Sequence, residues 1–482
     1  MFDARFINEN RSLDMLDKSY LFSDDEMRNF IVNGYCVLNN VDLSKTLHDT
    51  IYHKTKSIID TEGNPGNNLL PRVPEIQKIY DDPSVRGALT SILGPDYVMH
   101  AHRHPHVNPP QSRGGGWHKD SYWGYTKVRD HHPRWLMVMY YPQDTPEKIG
   151  PTGVIPGSQY IESREETVGE DDTKAPAGIP ASGEAGTVVL IHFDLWHRAF
   201  PNETDKFRYM FKFQFTRMSE PKRAYWNKGS DEFDLGDLAD HPRSAMWRNM
   251  WHWLSGTRYS STQSVDRKEF ESLAMGLTDP LEEKRLHAAY TIAEYGESAL
   301  PHLLKAISNE DDDIRRDACY GLCALGPTAV EPLIGLLNHD NERIRAYAAY
   351  ALGDVGSDSV SVAEHLVGLT TDTSEFVRQN VADALGQIQK NPNTVVPALI
   401  KLMSDEDGQV RYNTAYALAR FGEQAQSAIP VLADAFYDDN RYVQGHAAIA
   451  LEQIGTPESL RVLLHWLQAS RWCPVTTSKS TF

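Results

Sequence analysis

The sequence predicts two domains, an antiparallel β-barrel or sandwich followed by a solenoid of paired helices. In the first half, short strand-like runs alternate with turns rich in Gly, Pro, Asn and Asp, which is typical of antiparallel β-structure. In the second half, one helical pattern recurs at a near-constant interval, which is typical of stacked helical repeats. The length of 482 residues also exceeds what a single hydrophobic core usually supports.

Four segments of the first half alternate like strands, and others have the pattern of helices. The predicted strands are 33–38, 135–141, 186–193 and 207–217, and the predicted helices are 24–32, 82–93 and 243–254. We therefore expect a first domain at 1–262, with its barrel core at about 33–217 and a helical extension at 219–262. A polar stretch begins at 255, and a linker at 263–278 would join this domain to the repeats.

The repeats are marked by an arginine near the start of each unit. Arg285, Arg315, Arg345, Arg378 and Arg411 follow one another at intervals of 30, 30, 33 and 33 residues, and Gln444 stands another 33 residues on. Each marker leads into a helix of small residues that ends near a glycine, and a second apolar helix follows. These units resemble short HEAT repeats, with six copies at 279–468. We expect the markers to bridge neighbouring repeats or cap helices, and the tail at 469–482 to be frayed.

The charge and the cysteines narrow the classes of partner. A formal net charge of −18 argues against nucleic acid or an anionic membrane as partner, since both need a basic face. The sequence has no run of 18 consecutive apolar residues, so we expect no membrane span. Residues 1–12 lack the apolar run of a signal peptide. The four cysteines predict neither a disulfide framework nor a structural zinc site. We therefore expect a cytoplasmic protein.

His118 and Asp120 stand in the sequence Gly-Gly-Gly-Trp-His-Lys-Asp, and His197 follows 77 residues after Asp120. On an extended segment, a His-x-Asp pair points both side chains to the same face. Two imidazoles and one carboxylate can occupy one face of an octahedral iron(II) ion, leaving three positions for a bidentate 2-oxo acid and dioxygen. The three residues are therefore candidate iron(II) ligands. A second His-x-Asp pair, His192 and Asp194, has no matching histidine and arginine downstream on a predicted barrel strand. We therefore interpret it as structural.

Arg208 is the candidate anchor for the far carboxylate of 2-oxoglutarate. From 207 to 215 the odd positions are aromatic, so Arg208 at an even position points away from that packed layer, towards the expected barrel interior. A guanidinium is always charged and binds a carboxylate in a two-pronged geometry.

Together these motifs resemble the phytanoyl-CoA dioxygenase family. The resemblance is carried by Trp-His-Lys-Asp at 117–120, by the turn Gly-Pro-Thr-Gly-Val-Ile-Pro-Gly-Ser at 150–158, and by Trp196, His197, Asn202 and Arg208. It implies a double-stranded β-helix (jelly-roll) barrel with flanking helices. It also implies that His118, Asp120 and His197 bind iron(II), that Arg208 binds the C5 carboxylate of 2-oxoglutarate, and that Asn202 holds the turn between the last two strands.

Two positions bear on the reaction that the resemblance implies. Family members often carry a hydroxyl residue two positions after the distal histidine, where this chain has Ala199, so some co-substrate contacts come from elsewhere. Related halogenases replace the metal-binding carboxylate by a small residue to make room for chloride. Asp120 is present here, which favours hydroxylation or a related oxidation.

Aromatic and basic residues near the motifs are candidates for the pocket wall. Trp135 is a candidate wall of the co-substrate pocket, and Trp123, Tyr125 and Arg198 are candidates for substrate contacts. Aromatic residues at this density are as often core, and surface solvation is the commoner fate of Arg198, Arg129 and Arg134. Four histidines alternate along one predicted strand and suggest a half-solvated or pocket-lining face rather than a metal site: His100, His102, His104 and His106.

The sequence thus predicts an iron(II)- and 2-oxoglutarate-dependent dioxygenase that oxidises an unactivated C–H bond of a small metabolite, with release of succinate and CO₂. The alternative is a scaffold protein whose repeats bind a partner and whose barrel is catalytically silent. A third interpretation, by analogy with bilin lyases, has no cysteine or tetrapyrrole-binding pattern in its support. The repeats could cap the barrel mouth, recruit a protein or a carrier-bound substrate, or mediate self-association.

Overall fold

The computed structural model describes residues 17–38, 41–120, 128–169, 178–259, 266–356 and 360–469. Within these ranges the chain forms two β-sheets with flanking helices, followed by a solenoid of helix pairs. The predicted fold class is confirmed. The predicted tail at 469–482 lies, from residue 470 on, outside the described residues.

Two antiparallel sheets form the first domain. The described strands are β1 (Tyr35–Leu38), β2 (Val98–Asn108), β3 (Trp135–Tyr140), β4 (Thr152–Val154), β5 (Ile179–Pro180), β6 (Val188–His192), β7 (His197–Ala199) and β8 (Arg208–Thr216). The larger sheet has the order β1-β6-β3-β8-β2, and the smaller has the order β5-β4-β7. Strands distant in sequence lie side by side, as in a jelly roll.

Helices cover this domain where the sequence carries clear start signals. They are α1 (Asp24–Asn33), α2 (Lys45–Glu62), α3 (Leu69–Arg72), α4 (Gln77–Tyr80), α5 (Pro83–Leu93), α6 (Arg164–Thr167) and α7 (Ser244–Leu254). A capping box of Ser23 and Glu26 begins α1, and Asp82 caps α5 ahead of a proline in its first turn.

The strand β8, which carries Arg208 and Lys212, positions the site and lies between β3 and β2 in the larger sheet. All nine of its residues are buried. Lys212 is opposite Met139 on one side and His104 on the other, so these three side chains belong to the same face of the sheet. Arg208 and Lys212, both at even positions, therefore point to the same side, as the alternation predicted.

Six helix pairs form the solenoid. They are α9 (Glu282–Ala293) with α10 (Leu300–Ile307), α11 (Asp312–Leu325) with α12 (Val330–Leu336), α13 (Glu342–Val355) with α14 (Val360–Gly368), α15 (Glu375–Ile388) with α16 (Pro392–Leu402), α17 (Gly408–Phe421) with α18 (Ile429–Asp434), and α19 (Arg441–Ile454) with α20 (Pro457–Ala469). The predicted linker differs from expectation, since it contains a helix, α8 (Arg267–Gly276). Its buried Leu273 gives α8 an apolar side, and α8 packs against α9.

The marker arginines join neighbouring repeats, as predicted. Arg345 pairs with Asp372 at 2.8 Å, and Arg378 pairs with Asp405 at 2.7 Å, each acid lying just before the next repeat. Arg411 and Asp438 repeat this contact at 2.7 Å. Arg315 is the exception, because it pairs with Asp312 of its own helix.

One stretch, Asp312–Leu336, is long and apolar enough by composition to cross a membrane. It comprises two helices of the solenoid, α11 and α12, and half of its most apolar window is buried inside the protein. A buried pair of repeat helices has the same composition as such a span.

Candidate metal centre

His118 and His197 are brought together by their own backbones. The amide of each donates to the carbonyl of the other at 3.0 Å, and the two rings lie 4.5 Å apart. The Gly-rich run before His118 makes this approach possible, because a Cβ on Gly114 would lie 2.3 Å from the carbonyl oxygen of Ala199. Gly114 also has a φ of +76°, which favours glycine.

Both imidazoles are oriented with one nitrogen free. Nδ1 of His118 lies 2.9 Å from the carbonyl oxygen of Gly116, and Nδ1 of His197 lies 2.9 Å from that of Leu195. A carbonyl only accepts hydrogen bonds, so each Nδ1 carries the proton and each Nε2 keeps its lone pair. Metal-binding histidines are usually held by a bond of this kind from the other ring nitrogen.

Asp120 completes a triangle of ligand atoms. Its Oδ1 lies 3.9 Å from Nε2 of His118 and 3.9 Å from Nε2 of His197, and all three ligand atoms lie within 4.8 Å of one another. An ion about 2.1 Å from each atom places neighbouring ligands about 3 Å apart, so a modest inward movement suffices. Two imidazole nitrogens and a carboxylate oxygen suit iron(II).

Charge and burial keep Asp120 and His197 in the protonation forms that bind a metal. Burial alone would raise the pKa of Asp120, but Lys212 and then His197 hold it below its usual range. Lys212 donates to Oδ2 of Asp120 at 2.5 Å, which leaves Oδ1 towards the histidines. Burial lowers the pKa of His197 to about 4, so its imidazole is neutral at pH 7.

The backbone of Asp120 is held by Arg129. Nη1 of Arg129 donates to the carbonyl oxygen of Asp120 at 2.8 Å and also bonds Asp194, while Nε lies 2.7 Å from Glu162. The expectation that Arg129 is solvated was wrong, because oxygen atoms of Asp120, Glu162 and Asp194 converge on its guanidinium group. Asp194, of the second His-x-Asp pair, is structural as interpreted: it lies outside the metal triangle and pairs with Arg129.

Arg208 lies at the start of β8 and is buried. Its Nε donates to the carbonyl oxygen of Gly150 at 2.9 Å. No acidic side chain of the described residues forms an ion pair with Arg208. Gly150 belongs to the turn at 150–158, and a Cβ there would lie 2.4 Å from the side-chain amide nitrogen of Asn108. The nearby Asn202 donates to the carbonyl of Lys206 at 2.8 Å and so holds the last turn, as the resemblance implied.

Two family models match the chain. The phytanoyl-CoA dioxygenase (PhyH) model matches residues 51–210. The N-terminal domain is a PhyH domain. The HEAT-repeat model matches four overlapping segments, 300–386, 330–403, 367–441 and 396–477. The chain therefore joins a PhyH domain to HEAT repeats, which confirms both resemblances.

Solved structures are similar to parts of the chain. The carbocyclase SnoK, described as non-haem and α-ketoglutarate-dependent, is 18% identical over 42% of this chain and 87% of its own, with a TM-score of 0.34. The nickel complex of the non-haem monooxygenase ThoJ is 14% identical over 60% of this chain and 98% of its own, with a TM-score of 0.31. An engineered protein is 25% identical over 39% of this chain and 96% of its own, with a TM-score of 0.29. No curated protein matches the chain. At these TM-scores the likenesses do not bear on function.

The residues that the sequence predicted for the pocket wall and for substrate contacts lie in other surroundings where the structure describes them. Trp135 is opposite Thr216, eight residues along β8 from Arg208, or roughly 25 Å at 3.3 Å per residue. It packs on Tyr416 of the solenoid, so it does not form a wall beside Arg208. Arg198 follows His197 on β7 and therefore points to the other face, where it stacks on Trp117 at 5.0 Å. Trp123 and Tyr125 lie outside the described residues.

Three further residues lie near the candidate metal ligands or Arg208 and were not predicted from the sequence. Lys212 was visible as a lysine on the inner face of a buried strand, which is itself a signal of a charged partner. Tyr141 is buried; its hydroxyl accepts from the amide of Thr152 at 3.0 Å, and it partly offsets the lowering of the Arg208 pKa by burial. His106 is opposite Met210 on β8, and its Nε2 is buried without a hydrogen-bond partner among the described residues.

Proposed function

We propose that this protein is an iron(II)- and 2-oxoglutarate-dependent dioxygenase that hydroxylates an unactivated C–H bond of a small metabolite, releasing succinate and CO₂. The proposal is carried by one observation: three ligand atoms, each in its metal-binding form, converge in the same PhyH domain that buries an arginine without an acidic partner in the described chain. Bound iron(II) supplies the activation of dioxygen, coupled to decarboxylation of the 2-oxo acid.

Arg208 binds the C5 carboxylate of 2-oxoglutarate in this proposal. A buried guanidinium without a counter-charge is costly, and a carboxylate ligand offsets that cost. Nε is already committed to Gly150, so the terminal nitrogens remain for the co-substrate. The hydroxyl of Tyr141 already accepts one hydrogen bond from Thr152, and its own proton can be donated to the same carboxylate. Tyr141 thereby replaces the hydroxyl residue that is absent at Ala199.

Lys212 keeps the metal-binding carboxylate in place. Its ammonium group balances the charge of Asp120 in a buried setting and occupies Oδ2, which favours binding of the metal through Oδ1 alone. His106, which faces the same interior, can donate from Nε2 to the co-substrate or the substrate.

The alternative is a silent barrel that serves as scaffold. It offers no reason for the orientation of both imidazoles or for the burial of Arg208 without an acidic partner in the described structure. We further propose a small-molecule substrate for the PhyH domain and a protein partner for the outer faces of the HEAT repeats. We also propose a cytoplasmic location, supported by buried free thiols at Cys319 and Cys323. The exclusion of nucleic acid and membrane partners stays a prediction.

The test is uncoupled turnover of 2-oxoglutarate. The purified chain, loaded with iron(II) in the presence of oxygen and ascorbate, is expected to form succinate without an added substrate. Chelation of the iron, or the variants His118→Ala and Asp120→Ala, should remove this activity, and the melting temperature of His118→Ala should stay within a few degrees of that of the parent. Succinate formation that is equal in the parent and in both variants would rule the proposal out and leave the scaffold interpretation.

A further inference from the structure

The first helices of the repeats carry a row of tyrosines that reaches the PhyH domain. In four of the six units, the fifth residue after the marker arginine is tyrosine: Tyr290, Tyr320, Tyr350 and Tyr416. Tyr290 bonds His131 at 2.9 Å, and Tyr416 donates to the carbonyl of Arg217 at 2.8 Å. All four tyrosines are buried or nearly so. This face of the solenoid is therefore occupied by the barrel.

Two of these tyrosines converge on a single carbonyl group, that of Arg129. The hydroxyl of Tyr320 donates to it at 2.9 Å, and the hydroxyl of Tyr350 lies 3.3 Å from it. His131 stacks on Tyr320 with ring centroids 3.7 Å apart. Three successive repeats, through Tyr290, Tyr320 and Tyr350, thus hold the segment 129–131.

Arg129 links this contact to the metal site. Its backbone carbonyl faces the solenoid, while its guanidinium donates to the carbonyl oxygen of Asp120 at 2.8 Å. The contacts run from the two tyrosine hydroxyls to the backbone carbonyl of Arg129, and from the guanidinium of Arg129 to Asp120. Neighbouring contacts reinforce it, since Asp354 of α13 bonds Arg134 at 2.7 Å and His132 at 2.8 Å.

We propose that the solenoid is an intramolecular clamp on the metal site, in which Tyr320 and Tyr350 are positioning residues that hold Arg129 and, through it, Asp120. The partner of this repeat face is the chain's own PhyH domain. The proposal rests on the proposed function only in taking Asp120 as a metal ligand. A protein recruited through the same face would first have to displace the barrel.

The clamp is tested by removing the two hydroxyl groups and keeping the rings. The test variant is Tyr320→Phe with Tyr350→Phe. The control variant is Tyr347→Phe with Tyr416→Phe, which also loses two hydroxyl groups. Tyr347 donates to Asp312 at 3.0 Å inside the solenoid, and Tyr416 reaches the barrel at β8, away from Arg129. Both variants therefore lose similar stability, but only the test variant loses the clamp.

Two measurements follow, one of them independent of metal. Hydrogen–deuterium exchange in peptides containing Asp120 or Arg129 is expected to be about five- to tenfold faster in the test variant only, as for loss of one or two neutral hydrogen bonds. Cobalt(II) binding, titrated on the purified full chain, is expected to weaken about three- to tenfold with a changed visible spectrum, less than the 10- to 100-fold loss typical of a partner bonded directly to a metal ligand.

Action through Arg129 is checked by combination. In an Arg129→Met background, the two phenylalanine substitutions should cause no further weakening of cobalt(II) binding. Equal exchange rates and equal cobalt(II) affinities in the test and control variants would overturn the clamp. If the parent protein binds no cobalt(II), the proposed function fails, and the exchange experiment still decides whether the repeats hold the segment.

Discussion

The Nζ atom of Lys212 lies 2.5 Å from Oδ2 of Asp120, so the carboxylate of the metal triangle is already paired with a buried cation from the opposite sheet. The pair connects β8, between β3 and β2 in the larger sheet, with the segment of His118, which pairs with His197 of β7 in the smaller sheet. The cation that pairs with the proposed metal ligand and the proposed co-substrate anchor thereby lie on one strand, since Arg208 begins β8.

This ion pair predicts a strong effect of Lys212→Met on stability. Removal of one partner leaves the Asp120 carboxylate largely buried without its cation, and we expect the metal-free protein to lose about 2–4 kcal/mol of unfolding free energy. Adding Asp120→Asn should recover part of this loss, because the uncompensated charge is then removed. Urea denaturation of the two single variants and the double variant measures the coupling. Strictly additive losses would show that the pair contributes nothing.

Arg208→Ala is expected to separate co-substrate binding from metal binding. Loss of a two-pronged, charge-assisted contact should weaken 2-oxoglutarate binding by at least about 100-fold, since such bonds contribute roughly 1.5–3 kcal/mol each. Cobalt(II) affinity should stay within about twofold of the parent, because Arg208 lies outside the ligand triangle. Calorimetric titration of both ligands gives the two numbers, and unchanged 2-oxoglutarate affinity would refute the anchor assignment.

Tyr141→Phe tests the origin of the missing hydroxyl contact. We expect the KM for 2-oxoglutarate to rise about five- to tenfold with kcat little changed, as for loss of one hydrogen bond. Adding Ala199→Ser in that background should restore part of the affinity by returning a hydroxyl to the family position. An unaltered KM in Tyr141→Phe would exclude this role.

Acid is expected to weaken the junction between barrel and solenoid. His446 is fully buried against Tyr412 and His100, and burial lowers its pKa to about 3. Its folded pKa lies below the ordinary value of 6.5, so the unfolded chain binds more protons between pH 6.5 and 3. The contribution of neutral His446 is therefore complete above pH 6.5 and is lost as the pH falls. At 1.36 kcal/mol per pH unit, acidification from pH 7 to 5 costs about 2 kcal/mol.

His446→Phe provides the comparison for this acid effect. Neither ring nitrogen has a hydrogen-bond partner among the described residues, so the substitution should cost little at pH 7. Between pH 7 and 5 the variant should lose about 2 kcal/mol less than the parent in urea denaturation. Parallel losses in both proteins would assign the acid sensitivity to other groups, such as His102, whose pKa burial lowers to about 3.

Local patterns explain why much of the site was predictable. A His-x-Asp pair on an extended segment, and an arginine at an even position of an aromatic strand, point in directions set by the backbone alone. The role of Asn202 follows in the same way from its place in a short turn. For Arg129, Arg134 and Arg198 the sequence predicted exposure to solvent, because that is the commoner fate of an arginine outside a motif. Each instead has partners from distant segments, as with Arg134, which pairs with Glu220 and Asp354.

The amino-acid sequence alone determined the class of the two domains, the proposed metal triangle and co-substrate arginine, and the role of the marker arginines, because these depend on spacing, alternation and repetition within short stretches. Only the tertiary structure decided that Lys212 pairs with Asp120, that Trp135 contacts the solenoid, and that the tyrosine row meets Arg129. These contacts join residues 92 to 281 positions apart, and such pairs are chosen by packing between sheets and helices, which a local pattern does not encode.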